Sequence, residues 1–482
     1  MKDLRSFLTE LEQNSPKDVV RISKETSVIH EMTSIVARLE KEGFYPVLIF
    51  ETPRNNRGER SSMPVVTNLL ASRRRCAAAL GLDSVGVASG YAAKSSQKID
   101  PVVVKASDAP VKEIIQKGKD LDLYEIPMLS HYQGSERFPR ATAAMATSID
   151  PATGIDNCAL QGIEIRSKDE VSWNNAGITH NSLNMNAWWV KGEDCPVAFW
   201  IGHHPAASLG GQQKISHPES HYPGIGGLMG EALRLAPTET FGEKLMVPAD
   251  AEIVIEGYAL KNRFVCGHYG GDHAKTMIPM GVDPVVRVTC ITHRKDALYQ
   301  DITVGQADNL VMGGFAMEAT VYDVCRRVSP SVINVHLPLS GLCRRIVNIQ
   351  VKDPAPGEAR ALIAAALTLD NRIKYVFVVD EDVDIFDDRE MTVAWVNRCQ
   401  IDRDMLILPG IPDTAIDPVA IKVDGGYITA KAGFDLTLPP SPLPGFPKQF
   451  EEPIQFPQSV LNKPLEEYIE PEVLHRLEKE SQ

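Results

Sequence analysis

Apolar residues recur at helical spacing over residues 3–14, where Leu4, Phe7, Leu8 and Leu11 fall on one side. Segments near 30–43 and 65–81 carry the same period and predict two more helices. Between them Tyr45-Pro46-Val47-Leu48-Ile49-Phe50 is a short, almost wholly apolar run, the pattern of a buried strand. Together they predict an α/β unit of about 110 residues. Pro101-Val102-Val103-Val104 and a polar, proline-containing linker to Pro127 close it.

From about 120 to 320 the pattern turns to β. Strand-like runs recur at Ala143 to Ile149, Ile163 to Arg166, Val197 to Ile201, Ala251 to Ala259 and Val285 to Thr292. Turn residues such as Asp150-Pro151-Ala152-Thr153-Gly154 separate them. Two helices interrupt the series, one following His180 and one near 225–235, so a β-barrel is expected rather than a sandwich. Beyond 320 the α/β pattern returns. An alanine-rich helix at 361–369 precedes the buried strand Lys374 to Asp380, and a helix starts near Asp387-Asp388-Arg389-Glu390, where acids suit the positive end of the helix dipole. The strand Met405 to Leu408 then completes an expected βαβ unit. The proline-rich piece 438–457 reads as an extended tail and 464–480 as a final, partner-clasping helix.

Composition narrows the function. A chain of 482 residues with 43% hydrophobic and 23% charged content is an ordinary globular protein with room for a large core. A net charge of −13 argues against nucleic acid as a partner. The eight cysteines include no Cys-x-x-Cys pair, which argues against a zinc knuckle or a disulfide scaffold. With no apolar leader and no apolar run of about 18 residues, neither secretion nor a membrane span is expected, and the location predicted is cytoplasmic.

Candidate chemistry gathers between Ala141 and His273, which hold most of the histidines. Asn157 opens a strand-like run, His180 follows a Gly-Ile-Thr approach, and Glu219 lies in His217-Pro218-Glu219-Ser220-His221-Tyr222-Pro223-Gly224. An amide oxygen, an imidazole and a carboxylate from three segments would suit a divalent ion that keeps open positions. Gly210-Gly211 and Gly224-Ile225-Gly226-Gly227 are glycine-rich turns that could approach a phosphate.

The wording of the chain resembles the UbiD-like decarboxylases, which use prenylated flavin mononucleotide. The resemblance runs from Asp3-Leu4-Arg5 through Asp122-Leu123, Ile126-Pro127 and Val247-Pro248-Ala249 to Glu252-Ile253-Val254-Ile255-Glu256-Gly257. It continues in Val379-Asp380-Glu381-Asp382-Val383-Asp384-Ile385-Phe386-Asp387 and Lys431-Ala432-Gly433-Phe434-Asp435-Leu436-Thr437, and looks most like the protocatechuate-type hydroxyarylate decarboxylases. It implies an α/β plus β fold: an N-terminal α/β domain (1–118), a central flavin-reductase-like split β-barrel (119–318), a C-terminal α/β domain (319–442), and an extended tail with a dimerisation helix (443–482). It also implies a homodimer or a dimer-based hexamer.

What the resemblance implies for the site is specific. Asn157, His180 and Glu219 would hold a divalent ion such as Mn2+, with Glu231 the runner-up for the third place. K+ would accompany it, and Asn157, Cys158, His180, Glu219 and Lys431 would bind the cofactor. A separate flavin prenyltransferase would supply that cofactor. The family's arginine falls by count on Gly162 and its ion-paired glutamate on Gly267, so both partners are absent. Losing both avoids a stranded charge and leaves empty volume, which favours a bulky substrate such as an aryl-CoA thioester or polycyclic acid. The family's acid falls on Asp272, the expected proton donor, with His273 or His268 sharing the work. The function implied is reversible decarboxylation of an aromatic, heteroaromatic or α,β-unsaturated acid. A CO2-fixing carboxylase subunit of a larger complex and a non-catalytic subunit are the alternatives.

Overall fold

The computed structural model describes residues 2–175, 179–267, 269–271, 274–279, 281–438, 454 and 456–474. The first amphipathic stretch forms the helix Leu4–Asn14, with Leu4, Phe7, Leu8 and Leu11 buried. Asp3 caps it: its carboxylate accepts from Ser6 N at 2.8 Å, and Ser6 Oγ accepts from Asp3 N at 2.9 Å. The helix Glu31–Lys41 and the fully buried strand Val47–Phe50 follow as expected.

The helix predicted over 65–81 divides. Val65–Thr67 is a strand, and only Arg73–Ala79 is helical. Three β-branched residues favour a pleated surface, and Asn68, at φ 63°, turns the chain out of the strand. Val19–Ile22, Val47–Phe50 and Val65–Thr67 form a four-stranded sheet completed by Tyr299–Gln300, which returns from the far end of the β region to pair in parallel with Val65–Thr67.

Most of the β region forms one large antiparallel sheet, beside a smaller one of Gly242–Pro248, Arg234–Thr238 and Val102–Val103. The order of the large sheet is Asp156–Leu160, Met145–Ile149, Cys195–Ile201, Ile253–Cys266, Val282–His293, Glu170–Trp173, Ile163–Ser167 and Arg140–Ala141, with Ile114–Lys117 pairing on Val282–His293 as well. Among the described residues the path is open, with no pairing between its two ends. The helix expected near 225–235 is Tyr222–Met229, ended by Gly230 at φ 72°, and Arg234–Thr238 is a strand instead. The glycines at 224–227 lie inside that helix. A Cβ on Gly227 would stand 2.4 Å from Gln97 O and 2.6 Å from Lys94 O, and one on Gly226 would stand 2.5 Å from Ile99 O. Helix packing explains both residues.

A 22-residue helix, Ala307–Val328, crosses between two cores. Leu310, Met312 and Phe315 pack with the N-terminal helices and the β region, while Met317, Val321 and Cys325 pack with the C-terminal sheet. That sheet runs Val332–His336, Ile346–Val351, Tyr375–Asp380, Gly426–Asp435, Met405–Asp413. The expected βαβ unit is therefore not formed. Gly426–Asp435 inserts between the two strands, parallel to Tyr375–Asp380 and antiparallel to Met405–Asp413. The helix Asp388–Arg398 between them is capped by Asp387, as its acidic start predicted. All eight cysteines are free thiols. No helix among the described residues is long and apolar enough to cross a membrane. Residues 439–453 of the predicted tail and 475–480 of the predicted last helix lie outside the described residues.

Candidate active site

The strand Asp156–Leu160 sets the first site residue. Side chains alternate along a strand, so Asn157 and Cys158 point to opposite faces. Cys158 joins the hydrophobic core with Met145 and Trp200, and burial raises its thiol pKa. Any part it takes in cofactor binding is played by its main chain. Asn157 is 3% exposed, and its Oδ1 is buried without a hydrogen-bond partner. Such an acceptor costs about 1–3 kcal/mol unless something binds it.

His180 is the first residue of the helix His180–Val190, whose start is fixed by the Thr179–Ser182 capping box. An amide lattice holds this helix against the sheet. Asn181 Nδ2 donates to Gln161 Oε1 at 2.7 Å, Ser148 Oγ donates to Asn181 Oδ1 at 2.7 Å, and Ser148 pairs directly with Asn157 across the ladder. The His217 ring stands edge-on to His180 with centroids 5.2 Å apart, and His217 Nε2 lies 3.0 Å from Asn184 Oδ1. Burial first, then His217 and Lys214, lowers the pKa of His180 and favours the neutral, ligating imidazole.

The structure does not turn Glu219 into this group. Its side chain is 45% exposed and ion-paired with Lys98 at 3.3 Å. Two residues on, His221 is 5% exposed. Its Nε2 meets Gln213 O at 3.2 Å, and its Nδ1 is buried with no partner. Burial lowers the His221 pKa to about 4, and His180 is among the charges it feels. Glu231 accepts Lys2 N at 2.7 Å, beside the N-terminus. Among the described residues no three His, Cys, Asp or Glu side chains converge as a metal site, so a cation here would need the amide of Asn157. The set Asn157, His180 and His221 offers one amide oxygen and two neutral imidazoles, which suits a borderline divalent ion.

Lys431 is 1% exposed, and its Nζ donates to Leu367 O at 3.2 Å and Asp370 O at 2.9 Å, at the C-terminal end of the helix Glu358–Leu369. The Asp370 carboxylate lies 3.7 Å from Lys214 Nζ, and Arg372 also holds it. Burial, then Arg372, lowers the Lys214 pKa. Lys214, which carried no motif in the sequence, thus lies between His180, whose pKa it helps to lower, and the Asp370 carboxylate.

Gly162 does not open empty volume. A Cβ there would lie 3.0 Å from Arg140 Nε and 3.2 Å from its Nη2, because the guanidinium of Arg140 fills that space from the adjacent strand. Sequence spacing carried no signal for Arg140 or His221. Asp272, His273 and His268 lie outside the described residues; the flanking pieces Tyr269–Gly271 and Met277–Pro279 pair as a short hairpin.

Known proteins supply the context for this geometry. Family models of 3-octaprenyl-4-hydroxybenzoate carboxy-lyase (UbiD) match the N-terminal domain over residues 11–93, the Rift-related domain over 102–307 and the C-terminal domain over 310–436. The UbiD-class enzyme HmfF from Pelotomaculum thermopropionicum, solved with FMN, is 30% identical, covers 97% of this chain and 100% of its own, and superposes with a TM-score of 0.87. An evolved dimeric form of HmfF in complex with prenylated FMN is 28% identical over 97% of this chain and 100% of its own, with a TM-score of 0.85. The 3,4-dihydroxybenzoic acid decarboxylase of Enterobacter cloacae shares the fold at 23% identity and a TM-score of 0.82, over 92% of this chain and 95% of its own. Matched along nearly its whole length, the chain belongs to the UbiD carboxy-lyase family.

Proposed function

We propose that the chain is a prenylated-FMN-dependent carboxy-lyase that reversibly decarboxylates an aromatic, heteroaromatic or α,β-unsaturated acid. The observation that carries this reading is the pair of buried, unpartnered atoms Asn157 Oδ1 and His221 Nδ1, the second within the field of His180. Two such atoms, on segments tied together by the Ser220–Asp156 hydrogen bond, suit a bound cation, which would also neutralise a cofactor phosphate. Asn157 and His180 are two of its ligands. Glu219 and His221 compete for the third place, and burial favours His221. Mn2+ would suit this set, K+ would accompany it, and Lys214 and Lys431 would supply further positive charge.

When bound, the prenylated flavin provides the electron sink that lets CO2 depart. The residues of the chain do the rest. Asn157, His180 and the third ligand fix the cation and so the phosphate end of the pocket. Asp272 returns a proton to the carbon that loses CO2, with His273 or His268 sharing that work, a role suited to a carboxyl held in partly dry surroundings. We read the large sheet as the split barrel of residues 119–318, between α/β domains at 1–118 and 319–442, and the assembly as a cytoplasmic homo-oligomer. A separate flavin prenyltransferase supplies the cofactor.

The test is mass spectrometry and an absorbance spectrum of protein co-produced with a flavin prenyltransferase, against an Asn157→Ala, His180→Ala double variant. Prenylated flavin and a divalent metal in the first, both lost in the second, support the reading. Full activity in protein made without the prenyltransferase would overturn it.

A further inference from the structure

Arg140 is half-buried on the edge strand that ends the large sheet. It sits on the short strand Arg140–Ala141, directly opposite Glu164 in the antiparallel ladder with Ile163–Ser167. Its guanidinium lies over Gly162, filling the place where a side chain would stand. Two of the three carboxylates whose field reaches it are already engaged. Glu164 accepts from Arg166 Nη2 at 2.6 Å, and Asp301 is held by His131 at 2.6 Å and by the Tyr299 hydroxyl at 2.9 Å. Among the described residues Arg140 has no ion pair and no side-chain hydrogen bond, yet it remains partly exposed. Burial pulls its pKa down, opposed by the field of Glu164, Tyr132, Asp283 and Asp301.

A largely desolvated guanidinium with an accessible face and no hydrogen bond among the described residues can receive a planar anion. The fork of N–H donors matches a carboxylate in a way that an ammonium does not. The position is also next to the site. Gln161, adjacent to Gly162, accepts from Asn181, the neighbour of His180, and Arg166 reaches from Glu164 to the Cys266 carbonyl at 3.0 Å. We propose that Arg140 is the carboxylate anchor of this enzyme, its guanidinium entering from the neighbouring strand through the space left by Gly162 to hold the acid group of the substrate. This rests on the carboxy-lyase reading. The glycine is then a specificity element, because a side chain at 162 would press against the guanidinium.

The experiment titrates the cofactor-loaded protein with furoate, benzoate and naphthoate and with their carboxamides, reading the absorbance of the bound flavin. Arg140→Met keeps the apolar stem and removes the charge. Arg140→Lys keeps charge without the fork, and Gly162→Ala keeps the charge but pushes the fork aside. The expected result is that the acids bind about tenfold to a hundredfold more weakly to Arg140→Met and Gly162→Ala, with Arg140→Lys between. Affinity for the carboxamides, flavin content and metal content stay unchanged. An equal loss for acids and amides, an unchanged acid affinity in Arg140→Met, or a wild-type protein that responds to none of the acids overturns the proposal. If the protein takes up no flavin, the cofactor reading fails separately. Modification of Arg140 by phenylglyoxal, followed by mass spectrometry, then decides the anchor: protection by the acids and not by the amides supports it, and equal protection overturns it.

Discussion

Ser220 Oγ donates to Asp156 Oδ1 at 2.7 Å, one residue from His221 on one chain segment and one residue from Asn157 on the other. This bond ties together two segments whose next side chains, His221 and Asn157, each carry a buried, unpartnered atom. Burial raises the Asp156 pKa, and Ser220 is the side chain that opposes the shift. Replacing Ser220 by Ala removes that partner. The expected cost is about 1–3 kcal/mol in denaturant unfolding, with divalent-metal affinity falling about tenfold in equilibrium dialysis. Unchanged metal affinity would mean that the loop holds His221 by other means.

The third metal ligand is decided by comparing two variants. His221→Ala is expected to lose most bound divalent metal when the purified protein is analysed by atomic emission. Glu219→Ala, which breaks only an exposed pair with Lys98, is expected to keep it and to change stability by less than about 1 kcal/mol. The opposite ranking would return Glu219 to the ligand set.

Asp308 makes stability depend on pH. It is fully buried near the start of the helix Ala307–Val328 and accepts from Asn68 N at 2.9 Å and Leu70 N at 2.6 Å. Burial pushes its pKa up from 3.8 to about 7. The folded state therefore binds this proton more tightly than the unfolded chain does. The contribution is full below pH 3.8 and is lost as pH rises through about 7, a change of roughly 4 kcal/mol at most. Urea unfolding of wild type and Asp308→Asn across this window is the measurement. The difference between the two should narrow at low pH, and parallel curves would exclude Asp308 as the titrating group.

Gly227→Ala tests the helix contact at 222–229. Its Cβ would meet two main-chain carbonyl oxygens, Gln97 O at 2.4 Å and Lys94 O at 2.6 Å, neither on a flexible side chain. A loss of at least about 1–3 kcal/mol in thermal or urea unfolding is expected. Wild-type stability would mean that the helix Val87–Ser96 shifts freely.

Much of the local structure was legible because periodicity and caps act within a few residues. The helix Leu4–Asn14 and its Asp3 cap, the strand Tyr375–Asp380 and the Asp387 cap all follow from patterns of that range. The helix Ala307–Val328 was not legible. It is buried on most sides, so it lacks the one-sided stripe that marks a helix, and Gly313 and Gly314 interrupt it because Arg344 and Cys343 press against its surface. The pairing of Gly426–Asp435 between two earlier strands was hidden for a related reason: strand order depends on which edges meet, and no local pattern records that.

In the site, local pattern carried the family resemblance and placed Asn157 in a strand and His180 at a helix start, since both lie in periodic segments. It did not determine which of His217, Glu219 and His221 turns inward. A loop has no period, so that choice falls to packing, here to Ser220 on Asp156 and to the burial of the His221 ring. Nor could a glycine at 162 announce what fills its place. Only the pairing of Ile163–Ser167 with Arg140–Ala141 brings the Arg140 guanidinium there, because a missing side chain constrains its neighbours only once the strands are side by side.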